Sequence, residues 1–448
     1  VEAAKGVDVD FTVLGLGALG IVAILSVLTA VAAWRESPHR IGLRQAATAR
    51  SSRVSAAAKV AGLGPAAVFG LRSALEPGRG TVAVPVRSVL AGAVVSVMAL
   101  VGAVTFGASL DALLAQPRLY GWDWDATILD TAGYGDIDLD KASAVLDHDP
   151  KVAAWSGTWF ASDSLDGHNL PLLAMEPGGD VLPPLVEGRP IRGSDEIVLG
   201  PATAGELGKH VGDTVVLGGP AQQRQLTVVG IATFPTLGAA FAAHTSLGVG
   251  AIVAPEVVDL INAGPAALFV RFRHGTDPEA EMAHLAETTA SIGEFPGGSE
   301  VLAAQRPAEI VNAGSIGAAP ALLAGSLVLG ALASLAVGLG TSVRRRRREL
   351  ALLKTLGFTR GQISATVAWQ ASATVVAGLV VGVPLGVVLG RQLWNLFAGQ
   401  LDVVPEPSVP ALGLLVVVLA GIVMANLVAA VPARAARRVR PSAALRAS

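Results

Sequence analysis

The chain has 448 residues, of which 52% are apolar and only 15% charged, and its mean hydropathy is +0.57. Soluble domains carry roughly 25% charged residues, so the composition argues against a purely soluble globular protein, and it is far too apolar for a disordered one. The absence of cysteine excludes disulfides, Cys-ligated zinc, iron–sulfur clusters and thiol nucleophiles together.

A membrane-crossing helix needs about 20 predominantly apolar residues. Five stretches meet this: Phe11–Ala33, Ser88–Leu110, Ile316–Val343, Ser364–Gly390 and Val409–Pro432, none with an Asp, Glu, Lys or Arg inside. The net charge of −2 hides a strong segregation. Three regions, 35–87, 344–363 and the tail after Pro432, together hold 21 Lys/Arg against 3 Asp/Glu, leaving 12 against 32 for the rest. Basic segments stay on the cytoplasmic side, and five successive crossings alternate in step with this sign. The reading is an α-helical polytopic membrane protein of the plasma membrane, N-terminus outside and C-terminus cytoplasmic, with an inserted mixed α+β extracytoplasmic domain. The divisions are a linker transmembrane helix over 1–34, a basic cytoplasmic loop over 35–87, a transmembrane helix over 88–110, the extracytoplasmic domain over 111–315, and a unit with three transmembrane helices over 316–448. A first helix that starts outside with no export signal ahead of it suggests the later part of a longer chain, or a processed product.

Within 111–315, β-rich runs at Glu196–Gly200, Thr214–Gly218 and Leu226–Ile231 lie between turn signals. Helices are expected at Lys141–His148, Pro255–Asn262 and Pro278–Ala290. Alternation over Tyr120–Asp125 suggests a strand with Tyr120, Trp122 and Trp124 on one face, either half-buried or anchored at the membrane interface. No P-loop, nucleophile elbow or zinc-protease motif occurs. Asp147-His148-Asp149 and the set Asp163, Asp166 and His168 read either as solvated loop residues or as a metal or catalytic site. No catalytic residue, metal ligand or cofactor site is assigned. The run Arg344, Arg345, Arg346, Arg347 and Arg348 abuts an apolar span, which points to lipid headgroups rather than nucleic acid.

Two patterns carry more. After Glu349, Leu353 and Leu356, Gly357 is placed to end a helix. Thr359 and Gln362 then form a capping box for the next helix, and Phe358 and Ile363 occupy the staple positions flanking it. The product, a stretch that includes Arg360, is either a rigid cytoplasmic projection or a simple loop between spans. In the fourth span Gly378, Gly382, Gly386 and Gly390 recur every four residues, with Pro384 among them. One glycine face suits either packing against the third or fifth span or a seam sliding against a partner.

The segment Arg347-Arg348-Glu349-Leu350-Ala351, with Leu353, Lys354, Leu356, Gly357 and Gln362, resembles the signature of FtsX-like ABC-transporter permeases, the family of MacB-type exporters and lipoprotein-release permeases. The tail from Pro432 is similar to the family's C-terminal end. Gly188-Arg189-Pro190 with Glu196–Gly200 and Leu207-Gly208…Gly212-Asp213 resembles the MacB-like periplasmic core domain, and Gly70–Leu75 the amphipathic helix before the family's first span. The resemblance covers roughly Gly70–Ser448. The additional helix at Phe11–Ala33 is similar to the linker of permeases carrying two such modules.

This resemblance implies a membrane subunit, not an enzyme, whose segment from Glu349 to Ile363 is a coupling helix that docks on an ATPase. The implied partners are two ABC ATPase subunits holding ATP and Mg, a second FtsX-like module upstream in the same chain or separate, membrane lipids and an extracytoplasmic protein. The implied function is coupling ATP hydrolysis to extrusion or handling of a lipid, lipoprotein, peptide or amphipathic compound at the outer leaflet. The alternative is mechanotransmission, switching an extracellular enzyme or sensor without transport.

Overall fold

The computed structural model describes residues 62–75, 86–219, 223–237, 244–258, 263–294, 297–315 and 318–437. The predicted span Phe11–Ala33, most of the basic loop 35–87 and the end of the tail lie outside the described residues. Among these residues, four helices are long and apolar enough to cross a membrane: Val89–Ala115, Leu322–Arg344, Arg360–Gln400 and Ala411–Arg437. Leu322, Leu329, Val380, Leu412 and Val431 stand exposed on them, a surface that water penalises and acyl chains accept.

In chain order the elements are α1 (Pro65–Leu75), α2 (Val86–Ala115), β1 (Ala126–Asp130), α3 (Leu139–Leu146), β2 (Val152–Leu165), β3 (His168–Met175), β4 (Leu185–Gly188) and β5 (Glu196–Leu199). There follow α4 (Pro201–Leu207), β6 (Thr214–Leu217), β7 (Arg224–Ala232), β8 (Ala251–Val253), β9 (Ala267–Phe272), α5 (Pro278–Thr288) and β10 (Ser299–Leu302). The chain closes with α6 (Ala308–Ser315), α7 (Ala318–Arg345), α8 (Arg347–Thr355), α9 (Arg360–Gln400) and α10 (Ala411–Arg437). Two compact units result. One comprises the chain up to Val95, Ala331–Leu379 and the stretch from Ala420; the other comprises Ser96–Gly330 and Val380–Leu419.

The second unit contains a ten-stranded sheet in the order β10-β1-β9-β2-β3-β8-β5-β7-β4, with β6 pairing β2 and β7. Pairing is antiparallel except at β3–β8 and β5–β7. The three predicted runs coincide with β5, β6 and β7. A large core includes Leu172, Leu199, Val228 and Phe269, and a smaller one gathers Ile128, Leu146, Val152, Leu268, Leu285 and Ile292.

Local chemistry sets the helix ends. Asp138 caps α3 by accepting from the backbone N–H of Asp140 and Lys141 at 3.1 and 3.2 Å, which starts that helix ahead of the predicted Lys141. Asp277 caps α5 in the same way, with Pro278 in its first turn. The helix expected from Pro255 is only a 3-10 turn over Pro255–Val258; residues 259–262 lie outside the described part.

The strand expected over Tyr120–Asp125 does not form. Pro117–Tyr120 is a 3-10 turn closed by Gly121 at φ 101°, and β1 begins only at Ala126. A Cβ on Gly121 would lie 2.4 Å from the nitrogen of Pro235, so the chain folds tightly there. Tyr120, Trp122 and Trp124 are all buried, and Trp124 stacks on Phe269 at 3.9 Å between centroids. The aromatics are core residues rather than interfacial anchors.

The Gly188-Arg189-Pro190 segment has a structural role. Arg189 donates from Nη1 to Glu196 Oε2 at 2.8 Å and from Nη2 to Oε1, and the Arg192 N–H donates to Oε2 at 2.7 Å. The paired guanidinium, helped by this N–H, holds the Glu196 carboxyl at about 2 although burial pushes it up. A carboxyl lowered on folding stabilises above its unfolded value, near about 4.3, and loses that contribution as pH falls towards 2. Arg189→Ala is therefore expected to lower the thermal midpoint at pH 7, with the deficit shrinking between pH 4 and pH 2. Melts across this range check it; a deficit independent of pH would remove the pair from the account.

Candidate coupling site

The corner between α8 and α9 is closed by local hydrogen bonds. The Gly357 N–H donates to the Lys354 carbonyl at 3.1 Å and the Phe358 N–H to the Leu353 carbonyl at 3.0 Å. This is the Schellman closure, and it needs the left-handed φ of 94° that Gly357 supplies. The next helix begins at once. The Gln362 N–H donates to Thr359 Oγ1 at 3.2 Å, and the Thr359 N–H donates to Gln362 Oε1 at 2.9 Å, a reciprocal capping box. Phe358 and Ile363 flank it in one hydrophobic cluster with Leu350, Val367, Ala429 and Ala433.

The helical period sorts the corner's side chains. Leu350, Ala351 and Ile363 are buried, and Leu353 and Phe358 pack against their cluster. Leu352 and Leu356 point outward at 51% and 78% exposure, beside exposed Gly357, Thr359, Arg360, Gly361 and Gln362. Of the predicted docking residues, Leu353, Phe358 and Ile363 therefore shape the corner from inside. Leu352 was missed by sequence reasoning, although its spacing of four from Leu356 is the signal that would have found it.

Polar ties brace this corner. Arg346 is buried and donates from Nη1 to Ser73 Oγ of α1 at 2.7 Å, so it turns inward and not to lipid headgroups as expected. Arg344 is exposed. Glu349 is half-buried, 4.0 Å from Arg346 Nη1. Lys354 Nζ donates to the Arg437 carbonyl at the end of α10 at 2.9 Å, and Arg437 Nη2 donates to Ser364 Oγ at 2.7 Å. Gly70 of α1 lies so close to α9 that a Cβ there would stand 2.6 Å from the Thr366 carbonyl oxygen.

All four glycines of the ladder are buried, and Gly378, Gly386 and Gly390 meet α2 rather than the third or fifth span. A Cβ on Gly378 would lie 3.0 Å from Ala93 Cβ, on Gly386 2.7 Å from the Met98 carbonyl oxygen, and on Gly390 2.8 Å from that of Gly102. The expected partner was wrong because spacing identifies a face but not what covers it.

At its far end α9 enters the large core of the sheet domain. Trp394 is fully buried, with Phe106 5.8 Å away and Phe397 5.3 Å from Phe106. Ala398, Val403 and Val404 join Leu110, Leu113 and Leu119 in the same cluster. The loop after α9 is clipped down: the Val404 N–H donates to the Leu119 carbonyl at 2.9 Å, the Ser408 N–H to Ser109 Oγ at 3.0 Å, and Arg118 Nη1 to Glu406 Oε2 at 2.8 Å. Asp402, at φ 54°, is pressed against Gly248, and burial pushes its carboxyl above the usual range. No spacing in the sequence pointed to this clip.

The set Asp163, Asp166 and His168 forms no shared site and is not a plain loop. Asp163 and His168 lie in β2 and β3, and Asp166 turns the hairpin at φ 48°. Asp166 Oδ1 accepts from the Val216 N–H at 2.8 Å, and Oδ2 lies 3.1 Å from Lys209 Nζ. Asp163 Oδ1 accepts from the Ser164 N–H at 2.7 Å. These carboxylates serve the turn.

Gly386→Leu should force α2 and α9 apart and destabilise the protein by about 1–3 kcal/mol. Gly361→Ala, whose added Cβ meets only Thr359 Oγ1 at 3.8 Å, should be nearly neutral. Thermal melts of both variants in detergent measure the contrast.

Comparison with known proteins gives two family matches. Residues 321–441 match the FtsX-like permease C-terminal family, and residues 89–288 match the MacB-like periplasmic core domain. No curated protein matches at a significant level. Among solved structures, the chain is similar to the extracellular domain of the noncanonic ABC-type transporter YknZ from Gram-positive bacteria at 14% identity, covering 40% of this chain and 83% of that one with a TM-score of 0.24. It is also similar to a domain of a putative permease protein from Porphyromonas gingivalis at 17% identity, covering 43% and 95% with a TM-score of 0.25.

Proposed function

Because this chain belongs to the FtsX-like ABC-transporter permeases and carries a MacB-like periplasmic core domain, we propose that it relays ATP-driven motion of a separate ATPase to that domain. The observation that carries this reading is the course of α9. One 41-residue helix begins at the exposed corner and runs to Gln400, with Trp394 in the core of the sheet domain. A bilayer requires only about 20 residues, so α9 extends well past a single crossing.

The corner suits a docking role. Leu352 and Leu356 offer an apolar contact, and the Schellman closure and capping box hold it without slack. The basic bias of regions 344–363 and the tail after Pro432 supports a cytoplasmic corner and C-terminus, with residues 111–315 outside. ATP and Mg belong to the paired ATPase subunits, and a second FtsX-like module completes the assembly. The predicted spans lack ionised residues in their interiors, which disfavours a hydrophilic pore. A lipid, lipoprotein, peptide or amphipathic compound handled at the outer leaflet fits best.

Leu356→Asp places a charge on the outer surface of the corner while leaving its buried cluster intact. It is expected to reduce co-purification of the ATPase about tenfold, a loss of roughly 1.4 kcal/mol, with membrane insertion unchanged. Gly357→Val, which forces a β-branched residue into a left-handed turn, should also uncouple ATPase activity from the permease. Pull-downs and ATPase assays in reconstituted vesicles are the measurements. Undiminished co-purification in both variants would count decisively against docking at this corner.

A further inference from the structure

In the sheet domain, one donor atom each from Asp149, Glu281 and His284 lies within 4.8 Å of the others. Glu281 and His284 are three residues apart on one face of α5, and Asp149 stands in the turn before β2. His284 Nε2 is 3.6 Å from Asp149 Oδ2, while Asp149 Oδ1 accepts from the Lys151 N–H at 2.8 Å. The independent sign of a ligand is Glu281. Its side chain is 0% exposed; Oε2 lies 2.7 Å from Lys151 Nζ, and Oε1 is buried with no hydrogen-bond partner among the described residues. A buried carboxylate oxygen left unpaired is costly.

We propose that Asp149, Glu281 and His284 bind a zinc ion. Two carboxylates and one imidazole are a hard-to-borderline donor set that suits Zn2+. Donors around a tetrahedral zinc stand roughly 3.3 Å apart, so the observed spacing needs only small side-chain rotations. Charge agrees: two carboxylates against the Lys151 ammonium leave one net negative charge before a divalent cation arrives. His284 is half-exposed, which gives the ion a route in and leaves the fourth position to water. Of the Asp147-His148-Asp149 cluster noted in the sequence only Asp149 takes part; Glu281 and His284 are distant in the chain, and only the fold brings them to it. The bound ion would tie α5 to the turn before β2.

The test uses the full chain without a histidine tag, stripped with chelator, in detergent. Zinc titration by calorimetry is expected to give one ion per chain in the presence of millimolar Mg2+, and to raise the thermal midpoint. His284→Ala, at a half-exposed position that folding does not depend on, should weaken binding about tenfold or more and abolish the thermal shift; Glu281→Gln should do the same. No zinc uptake by the native chain, or uptake and thermal shift unchanged in His284→Ala, would overturn the proposal, as would displacement of zinc by Mg2+.

Discussion

The close approach of α9 to α2 is the constraint on which the rest depends. Within lipid, helices gain nothing from excluding water from one another, so dispersion between closely packed backbones must hold them. At Gly386 and Gly390 even one methyl group would fall within 3 Å of backbone carbonyl oxygens or Cβ atoms of α2. Glycine is the only residue that fits there. α9 carries the corner at its start and Trp394 near its end.

The corner and the outer clip show two ways of making a junction stiff. At the corner the devices are local: a left-handed glycine, a reciprocal capping box and a hydrophobic staple, braced by Arg346 on Ser73 and Lys354 on the last turn of α10. At the outer end they are long-range, with the 401–408 loop pinned by backbone and side-chain hydrogen bonds to the α2 end and the turn that follows it. Neither region depends on a single strong interaction. Each ties down backbone groups that a bare turn would leave to water.

The sheet domain has its own internal ties. The Arg189–Glu196 pair fixes the segment between β4 and β5, and Asp166 holds the β2–β3 hairpin to β6 through the Val216 N–H. It has two cores. The large one receives α9, whereas α5, which lends Leu285 to the smaller one, also carries buried Glu281 against Lys151.

The family signature, the apolar spans and the corner were legible in the sequence because they rest on local rules. Hydropathy, a left-handed glycine, a capping box and helical spacing all act over a few consecutive residues. The same holds for β5, β6 and β7, where β-branched runs end at glycines. What the sequence misread was set by distant parts of the chain. Tyr120–Asp125 alternates like a strand, yet the close packing of Gly121 against Pro235 makes it a turn. The glycine face is visible in the spacing, but α2 as its cover is not. Arg346 belongs to a basic run, and Ser73, far away in the chain, receives it on the inside. The outer clip and the Asp149–Glu281–His284 cluster join residues far apart in sequence, and no local periodicity encodes such meetings; tertiary packing alone creates them.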